Sequence, residues 1–132
     1  MSDAGVAHRP LVLVADDDRM VAWLVEQVLE GLGCAAEHAV DGIDAIERLH
    51  AGASRFALAV IDLVMPRADG ATVLAAVLHL RPSLPVLMTS GHDEAYVRER
   101  IGHAPIAGFL AKPWQPEDLE TMVRSVLELP LT

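Results

Sequence analysis

The sequence predicts an α/β fold: a doubly wound (βα)5 domain with a five-stranded parallel sheet and helices on both faces. Three observations carry this expectation. Short apolar runs of strand length alternate along the chain with segments of helical periodicity. The runs lack polar alternation, as strands buried on both faces do. The chain has 132 residues, 52% of them hydrophobic, which suits one domain with a real core. Strands and helices in strict alternation imply a parallel sheet.

The elements follow in order. The run LVLVA at 11–15 is the first strand. Val21, Leu24, Val25, Val28, Leu29 and Leu32 then recur at helical spacing, and Gly31 and Gly33 end that helix. Trp23 lies between its core positions and reads as packing. A weaker apolar stretch near 34–39 makes the second strand. Ile43, Ile46 and Leu49 mark the second helix, which ends near Gly52. The run ALAVI at 57–61 is the third strand. Val73, Leu74, Val77 and Leu78 mark a helix stopped by Pro82. The run LPVLM at 84–88 is the fourth strand, and residues 93–101 form a weakly amphipathic helix. The run IAGFLA at 106–111 is the fifth strand. Leu119, Met122, Val123 and Val126 mark the last helix, with Pro116 in its first turn. The expected boundaries are an N-terminal extension at 1–9, the domain at 10–128 and a tail at 129–132.

Composition excludes several classes of function. Ten Lys and Arg face 19 Asp and Glu, a formal net charge of −9. The nine arginines are scattered and aromatic residues are only 4%, so neither a phosphate-binding patch nor a base-stacking platform is present. Direct nucleic-acid binding is not expected. No apolar run approaches the ~18–20 residues that span a bilayer. The start MSDAGVAHRP has no apolar signal region. Cys34 is the only cysteine, which leaves no internal disulfide and no cysteine zinc site. The expectation is a cytoplasmic protein without a membrane partner.

Ligands of doubly wound sheets bind beyond the carboxyl ends of the strands. Asp16, Asp17 and Asp18 follow the first apolar run, Asp62 the third, Thr89-Ser90-Gly91 the fourth, and Lys112-Pro113 the fifth. Singly, most have ordinary explanations: the acids cap a helix, the Thr-Ser-Gly stretch is a turn, and the lysine sits in a solvated loop. Asp62 is different, because a carboxylate ending a buried strand is costly without a partner. Together they change meaning. Two carboxylates ~4 Å apart repel by about 4 kcal/mol at an effective dielectric of 20, and a hard divalent cation removes that repulsion. Mg2+ favours one or two carboxylates plus phosphate oxygens. A hydroxyl and an ammonium suit the remaining oxygens of a phosphoryl group. The pocket reads as a phosphoryl site with a carboxylate nucleophile. Asp62 is the natural nucleophile, Asp16 and Asp17 the metal holders. Lys112 is the only lysine among ten cationic residues, at a place where a compact point charge is useful.

The stretches LVLVADDD, AVIDLVMPRADG, PVLMTSG and GFLAKPW, in this order, resemble the receiver domain of response regulators over about residues 10–128. The resemblance implies a flavodoxin-like sheet in the order 2-1-3-4-5. It implies a phosphoacceptor of a two-component or phosphorelay system. Asp62 would take a phosphoryl group from a phosphohistidine on a sensor histidine kinase or a histidine phosphotransfer protein. Asp16, Asp17, Asp62 and the backbone carbonyl of Val64 would hold Mg2+, for which Mn2+ could substitute. Ser90 would bind a phosphoryl oxygen and move toward it. Lys112 would pair with the phosphoryl group, and Phe109 would swing inward as the switch aromatic. Val64 and His92 would tune hydrolysis of the acyl phosphate. Residues 93–128 would meet the downstream target. The only chemistry implied is the domain's own phosphorylation and dephosphorylation. A cis Lys112–Pro113 bond is also implied. The sequence departs from the family pattern at Arg19, where Pro is common, at Ser90 for Thr, at Trp114 for Phe, and at Ala104-Pro105-Ile106.

Two other readings compete. A phosphatase of the haloacid-dehalogenase type also uses an Asp nucleophile, and Asp16 and Asp18 match its Asp-x-Asp spacing; but no cap domain is present and Asp62 would lack a role. A phosphorylation-independent pseudo-receiver usually lacks a key residue, and here all five are present. The remaining histidines (His8, His38, His50, His79, His103) show no metal-ligand spacing and read as surface residues. Nothing after residue 128 reads as an output domain, as in a stand-alone receiver or a piece of a larger regulator or hybrid kinase.

Overall fold

Five strands form where the apolar runs lie, in a computed structural model that describes residues 9–129. They are β1 (Leu11–Ala15), β2 (Ala35–Ala39), β3 (Leu58–Asp62), β4 (Val86–Ser90) and β5 (Gly108–Ala111). Five helices intervene: α1 (Arg19–Gly31), α2 (Gly42–Gly52), α3 (Gly70–Leu80), α4 (Glu94–Ile101) and α5 (Pro116–Leu127). The sheet order is β2-β1-β3-β4-β5, and every neighbouring pair is parallel. This is the expected order 2-1-3-4-5. Residues 1–8 of the expected extension and 130–132 of the expected tail lie outside the described residues. Among the described residues, no helix is long and apolar enough to cross a membrane.

Alternation along the strands sorts the core into two layers. Leu13, Ala15, Ala59, Ile61 and Met88 face one side, where Ala45 and Leu49 of α2, Val73, Leu74 and Val77 of α3, and Val97 of α4 meet them. Val12, Val14, Leu58, Val60, Leu87 and Leu110 face the other, against Ala22, Val25 and Leu29 of α1 and Leu119 and Val123 of α5.

Carboxylates start most of the helices. Asp18, Asp41, Asp69 and Asp93 accept backbone N–H bonds at the N-termini of α1 to α4. Gln115 and Asp118 form a reciprocal capping box at α5, with Pro116 just inside. Two glycines permit close backbone approach behind the sheet's carboxyl edge. A Cβ on Gly70 would lie 2.5 Å from the Asp62 carbonyl oxygen, and one on Gly42 1.8 Å from that of Ala68.

The structure shifts some boundaries. β3 and β4 run later than their apolar stretches because pairing is a backbone property: Asp62 pairs with Thr89 in the ladder. β5 begins only at Gly108, where pairing with Leu87 starts. A 3-10 turn, Ala53–Arg55, follows α2. Trp23 does not pack: it is 52% exposed, because the buried stripe of α1 runs through Ala22, Val25 and Leu29.

Candidate functional site

Side chains from four strand ends converge. Asp16 leaves β1, and its backbone N–H still bonds to the Ala39 carbonyl at 3.2 Å. Its Oδ1 accepts from the Asp18 N–H at 2.9 Å, and its Oδ2 lies 3.2 Å from Lys112 Nζ. Asp62 ends β3, with Oδ2 also 3.2 Å from Lys112 Nζ. One ammonium therefore bridges two buried carboxylates. Lys112 follows β5, its N–H bonded to the Ser90 carbonyl at 2.8 Å, and it precedes a cis Lys112–Pro113 bond. Ser90 ends β4, fully buried, with Oγ accepting from the His92 N–H at 3.0 Å. Asp17 is exposed, yet Asp16, Asp17 and Asp62 each bring a carboxylate oxygen within 4.8 Å of the others.

The electrostatics follow from this crowding. Burial pushes the Asp62 carboxyl above the ordinary Asp range, and the charges of Asp16 and Asp17 add to that, against the opposing pull of Lys112. For Lys112, burial works to lower the pKa, but Asp16 and Asp62 outweigh it and hold the ammonium above its usual value. Three carboxylates against one ammonium leave an excess of negative charge. The donor set is entirely hard oxygen, which fits Mg2+ or Mn2+ and offers nothing to a soft metal.

The other expected site residues lie on β5 and in the loops after β3 and β4. Val64, two residues beyond Asp62, presents a side chain 56% exposed. In the same loop Arg67 is a non-glycine residue in left-handed conformation, φ 71°, and its Nη1 lies 3.1 Å from Asp41 Oδ2. His92 is exposed and stacks its ring on Tyr96, centroids 3.9 Å apart. Phe109 is half-buried on β5, opposite Met88 in the ladder, and packs against the α2–α4 core layer.

Three features escaped the sequence reading. His38 is not a free surface residue: its Nε2 meets the Asp16 carbonyl at 2.7 Å. The Arg67–Asp41 pair joins the loops after β3 and β2, and no local pattern announces it. Met20, Trp23 and Leu24 on α1 are exposed, and Leu24 lines a groove of about 320 Å³ together with Val21, Lys112, Pro113 and Trp114. Of these, only Met20 and Trp23 had a signal, since they fall off the apolar helical stripe; Leu24 lies on that stripe and is nonetheless exposed.

Comparison with known proteins agrees with this picture. The model of the response regulator receiver domain matches residues 12–124. The response regulator MprA of Mycobacterium ulcerans is 33% identical over 118 residues, covering 88% of this chain and 49% of that protein. The sensor kinase CckA of Brucella abortus is 30% identical over 118 residues, covering 89% of this chain and 12% of that one. The chain thus spans about half, or much less, of these relatives' length. Among solved structures, the receiver domain of a Francisella response regulator superposes with a TM-score of 0.79 at 28% identity, covering 91% of this chain and 98% of that one.

Proposed function

The chain belongs to the response regulator receiver domain family of two-component signalling, and we propose that it accepts a phosphoryl group on Asp62 and responds by changing conformation. The observation that carries this reading is the Lys112 ammonium held 3.2 Å from both Asp62 and Asp16, with Ser90 at the neighbouring strand end.

In the proposed reaction, an Asp62 carboxylate oxygen attacks the phosphorus of a phosphohistidine. A P–O bond forms, the P–N bond breaks, and its electron pair returns to the imidazole of the donor. The donor is a sensor histidine kinase or a histidine phosphotransfer protein. Lys112 supplies the fixed positive charge for the incoming phosphoryl oxygens. Ser90 exchanges its bond from the His92 N–H for a new one, donating its hydroxyl proton to a phosphoryl oxygen. Asp16, Asp17, Asp62 and the Val64 carbonyl would hold Mg2+, or Mn2+ in its place. When bound, that ion neutralises carboxylate and phosphoryl charge. Met20, Trp23, Leu24 and the groove beside Trp114 supply an apolar rim on which a donor could rest while its histidine reaches Asp62.

The output is a shift between two conformations. Ser90 moves toward the phosphoryl group, Phe109 swings inward, and the surface formed by about residues 93–128 changes for a downstream target. Val64, on the rim, shields the acyl phosphate, and His92 modulates its hydrolysis. Self-phosphorylation and slow self-dephosphorylation are the only chemistry in this reading, and no nucleic acid takes part directly. The phosphatase alternative is disfavoured by Asp18: the second acid of its Asp-x-Asp pair is spent capping α1, accepting from Met20 and Val21 N–H groups.

Intact-mass spectrometry tests the proposal. Incubated with Mg2+ and acetyl phosphate, the protein should gain one phosphate, and Asp62→Ala should gain none. An adduct of equal size on Asp62→Ala would refute Asp62 as acceptor. Turnover of a phosphate ester would favour the phosphatase.

A further inference from the structure

The peptide joining Asp16 to Asp17 leaves the sheet at the end of the β1–β2 ladder, whose last pair is Ala15 and Ala39. The Asp16 N–H still finds a backbone partner in Ala39. Its carbonyl finds none among the described residues and is met instead by His38 Nε2, at 2.7 Å. A backbone carbonyl can only accept, so Nε2 must carry the proton. His38 is half-buried on the edge strand β2, so this bond is partly shielded from competing water.

The consequence falls on Asp17. Both carboxylate oxygens of Asp16 have partners, Asp18 and Lys112. The Asp17 carboxylate has no hydrogen-bond or ion-pair partner among the described residues, although it lies within reach of Asp16 and Asp62. Its direction therefore depends on the backbone that carries it. The orientation of the Asp16–Asp17 peptide plane follows from ψ of Asp16 and φ of Asp17, and a hydrogen bond to the carbonyl restrains both.

We propose that His38 is a positioning residue for the metal site, holding the Asp16 carbonyl so that the Asp17 carboxylate is aimed at the cation. The inference rests on the metal-binding role given above to Asp16, Asp17 and Asp62. The ring acts through the peptide and does not touch the ion. Outer-shell partners of this kind typically change metal affinity by about 10–100-fold when removed.

Mn2+ binding to the full chain, with free ion counted by electron paramagnetic resonance, separates the possibilities. His38→Phe keeps a ring and removes the donor; it should weaken Mn2+ binding about tenfold. His38→Gln places an amide N–H near the position of Nε2 and should restore most of the affinity. Unchanged binding in His38→Phe overturns the inference and leaves the metal site standing. Equal weakening in both variants also overturns it, because the donor would then be irrelevant. A wild type that binds no Mn2+ removes the metal site itself, and the inference with it. Nitrogen-15 NMR of the wild type needs no variant to fold: a proton on Nε2 of His38 is expected, and an unprotonated Nε2 overturns the proposal.

Discussion

Asp62 is held in a place that resists its ionisation. Burial is the first cause, the nearby Asp16 and Asp17 charges add to it, and Lys112 only partly compensates. The native pKa therefore lies above the unfolded value of about 3.9. Folding favours the protonated form, so the group's contribution to stability is fully present below the unfolded pKa. It is lost as pH rises through the raised native pKa. At neutral pH the metal-free protein carries that penalty. Asp62→Asn should accordingly melt a few degrees higher than wild type at pH 7 without metal, by calorimetry, and the difference should shrink toward pH 3.5. A lower melting temperature at pH 7 would contradict this. Asp62, Ser90 and Lys112 were legible in the sequence because each is a polar residue closing an apolar run. His38 was not. Its partner is a backbone carbonyl 22 residues away, and a carbonyl leaves no mark in the amino-acid code.

Among the elements, the edge formed by β2 and α2 shows how charge ties structure together. Glu37 on β2 receives Arg48 of α2 at 3.1 Å and Arg55 of the following 3-10 turn at 3.0 Å. Arg48 also reaches Asp44 at 2.9 Å. The hydrogen bond from Arg55 is the first cause of a lowered Glu37 pKa, with Arg48 assisting against the opposing effect of burial. A depressed carboxylate stabilises the fold above its unfolded pKa of about 4.3. That support drains away as pH falls through the native value. Glu37→Gln should be less stable than wild type at pH 7 in urea titrations, and the gap should close in acid; a gap independent of pH would argue against the pair. The cluster also explains why β2 was the faintest strand in the sequence. Its segment AAEHA spends two of five side chains, Glu37 and His38, on polar contacts, so the apolar signal is weak where the pairing is complete. β3 and β4 mislead in another way: Asp62, Thr89 and Ser90 belong to the ladder although each lies beyond its apolar run.

Across the whole molecule, the sheet divides the core into two layers while the polar site sits at one edge of both. Leu49 belongs to one layer and Leu119 to the other, each essentially inaccessible. Truncating either to Ala should cost about 2–5 kcal/mol of stability, measured by urea unfolding. Neither should alter Mg2+ affinity, since neither leucine offers a polar atom to the carboxylates, the hydroxyl or the ammonium of the site. A large affinity change in either would mean that scaffold and site are coupled. The alternation of apolar runs made this architecture readable at the level of layers, while the ion pairs that close it, such as Arg67 with Asp41, depend on loops meeting in space. One further property belongs to the chain as a whole. The ammonium lodged between Asp16 and Asp62 is the only lysine side chain the protein has. Acetylation, or any other acylation of lysine, therefore has a single side-chain address in this sequence, and it would erase the positive charge that bridges Asp16 and Asp62. Apart from the amino terminus, an amine-directed label would report on that atom alone.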